Sequence, residues 1–237
     1  MAIEPHKIYQ SMMLEIKIRL RAIDECLNKR QGNLSPLDVE FCFLQLRKNV
    51  EQICFASIVC DHERYKDFRS LEGETDENNH GDYTQDWNAR IILQNLNDLS
   101  PHFMPRPLGK KTSSVGKHHF DIKDLNTTHK KLIKIYRRCG YYMHIPKPFV
   151  EEYEEHISKQ RKKYQTSTNT IISYLKYLKE LLWHHAAIGL DYQSEDDKLN
   201  SLELADTKSA WIIDFGEYES NDINIIVAIA VRETDRS

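Results

Sequence analysis

Apolar residues recur at intervals of three and four near the start of the chain: Ile8, Met12, Ile16, Leu20, Ile23 and Leu27. That spacing lays one stripe along one side of a helix, predicted over about Pro5–Lys29. Pro5 suits a first turn, and Gly32 lies where a left-handed stop residue belongs. A second helix is predicted to start at Ser35, with Pro36 in its first turn and Asp38 placed as in a capping box. It continues through EFCFLQLRKNVEQICFASIVCDHERY with Phe43, Leu46, Val50, Ile53 and Ile58 as core candidates. Residues 72–82 are polar and acidic and read as an exposed loop. A third helix is predicted over about Thr84–Leu99, using Trp87, Ile91, Ile92, Leu96 and Leu99.

Residues 100–120 carry three prolines and a Gly/Ser/Lys stretch and read as a long basic loop, with a short strand near His119–Ile122. Loops of that length inside a domain tend to be functional or disordered. A fourth helix is predicted from about Asn126 to Met143, with Leu132, Ile133, Ile135 and Tyr136 on its apolar side. Gly140 weakens its last turn, and Pro146 and Pro148 bar continuation. A charged fifth helix is expected from about Phe149, and a sixth over TIISYLKYLKELLWHHAAIG with Ile171, Leu175, Leu178 and Leu182 buried. After residue 208 the pattern shifts to β-branched runs, SAWIIDFG and INIIVAIAV, separated by turn residues. They read as a β-hairpin that must pack on the helices, another strand or a partner chain.

The expected fold is therefore mainly α, an antiparallel helical bundle with a C-terminal β-hairpin. Residues 1–190 would form the bundle, and residues 191–237 an acidic linker and the hairpin. The 8 glycines and 7 prolines in 237 residues are few for an all-β domain, and a mean hydropathy of −0.62 fits long helices with solvated outer faces. No run suits a membrane span, and the N-terminus lacks a signal-peptide core, so a cytoplasmic location is expected. The five cysteines (26, 42, 54, 60 and 139) contain no C-x-x-C pair and read as reduced thiols. Neither a phosphate-cradling glycine loop nor H-E-x-x-H is present, and no metal or other cofactor is expected.

Net charge is −3, but it is unevenly spread. Arg106–Arg138 holds ten Lys or Arg against two acids, whereas Asp191–Ser237 holds twelve acids against four bases. Two solvated faces that balance each other, or a basic patch for a phosphate-bearing partner, both fit this distribution. The chemistry-bearing stretch is the end of the fourth helix, RRCGYYMH. Arginine holds phosphate through planar donors and histidine moves protons near neutral pH, the pair that metal-free cleavage of RNA requires. Arg137 and His144 share a helix face at a spacing of seven, with Arg138 about 120° from His144 by helical arithmetic. The choice between the two arginines stays open.

Arg137 or Arg138 followed by His144, late in a helical domain, resembles the catalytic motif of HEPN ribonucleases. VEFCFLQLRKNVEQICFASIV resembles the long second helix of HEPN-like proteins, in which an arginine and a glutamate one turn on, here Arg47 and Glu51, are common. MHIPKPF is similar to the segment that ends a comparable helix. The resemblance covers about residues 5–190 and departs at Cys139, where a polar residue is usual. It implies a homodimer with two Arg–His elements facing one cleft, and metal-independent RNA cleavage by a toxin or antiviral defence factor. An antitoxin or regulatory protein partner would accompany such a role. His144, Arg138 and Arg137 would be catalytic, with Arg47 and Glu51 supporting them. Lys110, Lys111, Lys117, Lys130 and Lys134 would contact RNA, and Tyr141, Tyr142 and Tyr136 would stack on bases. The competing expectation is a non-catalytic interaction module, in which the tyrosines pack the core and His144 closes a helix end.

Overall fold

In a computed structural model of the chain the described residues are 4–60, 62–75, 84, 86–99, 103–114, 117–123, 128–144, 154, 157, 158, 162, 164, 166–188 and 208–230. Side chains are not described at 72–75, 110–114, 117–122, 188, 208–210 and 228–230. Six helices and five strands lie among these residues: α1 (Pro5–Lys29), α2 (Pro36–Cys60), α3 (His62–Thr75), α4 (Ala89–Leu99), β1 (Arg106–Ser114), β2 (Lys117–Ile122), α5 (Thr128–Met143), α6 (Thr168–Leu182), β3 (His184–Ile188), β4 (Lys208–Asp214) and β5 (Asn224–Ala230).

α1 ends in a Schellman motif. The N–H of Gly32 donates to Leu27 O and that of Gln31 to Asn28 O, and both residues have positive φ. Its buried stripe is Tyr9, Met13, Ile16, Leu20 and Ile23. The predicted Ile8 and Met12 are only half-buried, because Tyr9 turns inward to bond a strand residue, His185. α2 opens with the capping box: Asp38 Oδ2 accepts from the Ser35 N–H at 2.9 Å, and the Asp38 N–H donates to Ser35 Oγ at 3.2 Å. All five core candidates of α2 are buried. α1 packs mainly along α2, α2 along α5, and α4 against α5.

Several expectations need correction. Residues 72–75, read as loop, continue α3. α4 begins only at Ala89, so Trp87 lies ahead of the helix and is 72% exposed, and Ile91 also faces outward. Within the segment 100–120, read as a basic loop, Arg106–Ser114 and the stretch from Lys117 belong to the hairpin β1–β2, with Lys111 opposite Phe120 and Ser114 opposite Lys117. The short strand expected near His119–Ile122 is the end of β2. The sixth helix stops at Leu182, and HHAAI is strand β3. The predicted fifth helix lies largely outside the described residues.

The expected C-terminal hairpin is present as β4–β5, with Trp211 opposite Val227, but it belongs to a larger sheet. Strand order is β2-β1-β3-β4-β5, antiparallel throughout. The position taken as a boundary, residue 190, falls between β3 and β4, which are sheet neighbours. Alternation along the hairpin sends Trp211, Ile213, Phe215 and Ile223 into the same apolar cluster as Tyr9 and Met13. No described helix is long and apolar enough to cross a membrane.

Candidate functional site

α5 divides its residues between two jobs. Leu132, Ile135, Tyr136, Cys139 and Tyr142 are buried, while Lys130, Lys134, Arg137 and Tyr141 face out at spacings of four, three and four. Period 3.6 makes this outer row continuous. With α6 it bounds an open groove of ≈ 590 Å³, whose α5 wall holds Lys130, Lys134, Arg137, Arg138 and Tyr141. Thr170 and Tyr174 form the α6 wall. Four cations thus line one side of the groove and a tyrosine stands on each. Lys130, Lys134 and Arg137 make no hydrogen bond or ion pair among the described residues, so their charge is free to meet an anion.

Arg138 is engaged differently. Its guanidinium lies 5.4 Å from the Tyr141 ring centroid and 5.3 Å from that of Tyr142, and Nη2 donates to Tyr142 Oη at 3.4 Å. The Tyr142 ring stacks on Phe43 with centroids 3.9 Å apart and planes 8° from parallel. It is buried, so it cannot stack on a base as expected; it packs α5 against α2. Tyr136 is likewise buried. Tyr141 is exposed and keeps the role open to it.

Arg47 reaches α5 from the middle of α2. Its Nε donates to Glu51 Oε1 at 3.0 Å, its Nη2 donates to Tyr136 Oη, and its guanidinium lies 4.0 Å from the Tyr136 ring centroid. One turn beyond Tyr136 is Gly140. A Cβ there would sit 3.2 Å from Arg47 Nη1 and 3.9 Å from His144 Nε2. The cation and the imidazole therefore converge over one glycine. His144 is exposed, and its N–H closes the helix on Gly140 O at 3.2 Å. It makes no hydrogen bond or ion pair with Arg137 or Arg138 among the described residues.

The predicted site residues thus fall into two groups. Lys130, Lys134, Arg137, Arg138 and Tyr141 share the groove, whereas Arg47, held by Glu51, and His144 both reach Gly140 at the seam between α2 and α5. Lys110 and Lys111 fall on β1 and Lys117 on β2, and their side chains lie outside the described residues. Tyr174, itself buried, and Thr170 were not anticipated, since the apolar pattern of α6 marked only Ile171, Leu175, Leu178 and Leu182. Burial pushes the Cys139 thiol up to about 12, partly offset by Arg47, which disfavours the thiolate that a nucleophile needs. All five cysteines are free thiols. No cluster of His, Cys, Asp or Glu suited to a metal occurs among the described residues. Comparison with protein-family models, curated proteins and solved structures finds no match to this chain.

Proposed function

We propose that the chain is a metal-independent RNA endonuclease of the HEPN type, with the α5–α6 groove as its RNA path. The observation that carries this reading is the row Lys130, Lys134, Arg137 and Arg138, which runs along one groove toward an exposed histidine at the end of the same helix. Cations in a groove neutralise successive phosphates, and Tyr141 on its wall offers a ring to an unpaired base. His144 would take the proton of a ribose 2′-hydroxyl. The 2′-oxygen then bonds to phosphorus as the bond to the 5′-oxygen breaks, and the 5′-oxygen leaves with a proton from solvent. An arginine stabilises the charge gathering on the non-bridging oxygens. The products are a 2′,3′-cyclic phosphate and a 5′-hydroxyl. In this reading the active species is a homodimer with two such elements facing one cleft, held in check by an antitoxin or regulatory protein.

A specific observation favours a second reading, a nucleic-acid-binding module that does not cleave. Arg138 is laid over two tyrosines, and neither it nor Arg137 bonds His144. Purified protein incubated with cellular RNA in EDTA, beside His144→Ala, separates the two. Cleavage by the native chain alone, leaving cyclic phosphate ends, is the expected result. Binding without cleavage by either protein supports the second reading.

A further inference from the structure

The cation that shares the space over Gly140 with His144 is Arg47, which the motif does not contain. We propose that a single phosphate seats over Gly140 between Arg47 Nη1 and His144 Nε2, making Arg47 the phosphate-holding arginine of the site. This rests on the endonuclease reading above and names the groups that would grip the scissile phosphate.

Three features build the seat. Both nitrogens lie within 4 Å of the point where a Gly140 Cβ would stand, so they are no further apart than the sum of those two distances. One hydrogen bond of about 2.9 Å from Arg47 Nη1 and one from the Nε2–H of His144, to different oxygens of one phosphate, fit that span. Nδ1 of the neutral imidazole is then the nitrogen that takes the 2′-hydroxyl proton. Next, Arg47 is already oriented. Glu51 takes Nε, Tyr136 takes Nη2, and the Tyr136 ring backs the guanidinium plane. Nη1 makes no hydrogen bond among the described residues, so its donors remain for an anion, and little side-chain freedom is lost when one binds. Finally, Gly140 is the floor: it is buried, and a Cβ there would stand 3.2 Å from Nη1 and crowd the guanidinium that holds the phosphate. The seat is reachable, since the Arg47 side chain is 23% exposed and His144 is exposed. Arg137, Lys134 and Lys130 then hold the flanking RNA backbone in the groove.

The imidazole resonances of His144, assigned with His144→Gln, read the seat directly when the whole protein is titrated with uridine 3′-monophosphate. The native chain and Arg137→Gln should show a saturable shift. Arg47→Gln should lose it, and Arg47→Lys, which keeps charge without the planar fork, should weaken it. Gly140→Ala fills the floor and should also lose it. That variant guards against misfolding, because alanine is the better helix former. In RNA cleavage Arg47→Gln should lower kcat about 100-fold with little change in KM, whereas Arg137→Gln should mainly raise KM. No shift in the native chain, or an undiminished shift in a folded Arg47→Gln, overturns the seat. Arg47-dependent binding without cleavage by the native chain keeps the seat and removes the nuclease reading. Cleavage that needs His144 but ignores Arg47 does the reverse.

Discussion

A histidine sealed inside a protein weakens the fold each time it must take a proton. His185 is fully buried, with Nδ1 2.7 Å from Leu182 O and Nε2 2.8 Å from Tyr9 Oη. The carbonyl can only accept, so Nδ1 carries the proton and Nε2 accepts from the tyrosine hydroxyl. One neutral tautomer satisfies both neighbours, and a second proton on Nε2 would turn the Tyr9 hydroxyl from donor to acceptor and leave an unpaired charge in the core. Burial lowers this imidazole from 6.5 to about 4. Because the folded value lies below the ordinary one, its contribution is complete above about pH 6.5 and is lost as pH falls toward 4. The shift corresponds to about 3 kcal/mol. The melting temperature of the native chain should therefore fall more steeply between pH 6.5 and 4 than that of His185→Phe. Parallel curves would show that His185 is not the group being titrated. In sequence this residue is one of two adjacent histidines read as helical, hence pointing apart by about 100°. On strand β3 they alternate instead, which leaves His184 half-exposed and His185 inside.

At the scale of elements, a buried lysine ties the sheet to the first helix. Lys17 Nζ donates to Phe215 O at 2.5 Å, Glu217 O at 2.8 Å and Asp222 O at 3.1 Å, closing the β4–β5 connection against α1. Burial lowers its pKa, but three carbonyls satisfy the ammonium. Lys17→Met should cost about 2–3 kcal/mol in denaturant unfolding. Amide exchange should speed up over residues 215–222 first. Unchanged exchange there would mean that the turn is held by other contacts. The elements carrying strong periodicity were legible: α1, α2, α5, α6 and the β4–β5 hairpin each bury a regular set of residues. β1 was not, because Pro107, Gly109 and the polar KKTSS run give it no alternation. Its partner β3 lies far along the chain, with Arg106 opposite Ala186, and follows α6 with only Trp183 between, without the Gly or Pro that marks a boundary. The site shows the same division. Arg137, Arg138 and His144 are visible as neighbours in sequence, whereas the approach of Arg47 to His144 depends on how α2 packs on α5, which no local pattern records.

At the scale of the whole molecule, a chain of net charge −3 can hold RNA only by keeping its cations together. Folding does this for Lys130, Lys134, Arg137 and Arg138 by placing them along one groove, while most of the acidic residues of 191–237 lie far along the chain from it. If RNA follows that groove, each phosphate contact releases counterions, and the logarithm of affinity falls with the logarithm of salt by about 0.7 per contact for a single strand. Replacing all four cations by glutamine in a His144→Ala background should flatten the slope by up to about 3 between 50 and 200 mM salt. Anisotropy of a labelled single-stranded RNA measures it. A slope unchanged from the four-cation parent would place the RNA elsewhere. The hairpin lysines Lys110, Lys111 and Lys117 supply the comparison. If the RNA runs from the groove onto the sheet, their triple glutamine variant should flatten the slope further, by up to about 2. If it ends at the groove, that variant should leave the slope as it was. The two variants together map the length of the bound strand, because counterion release counts phosphates held, whichever bases they carry.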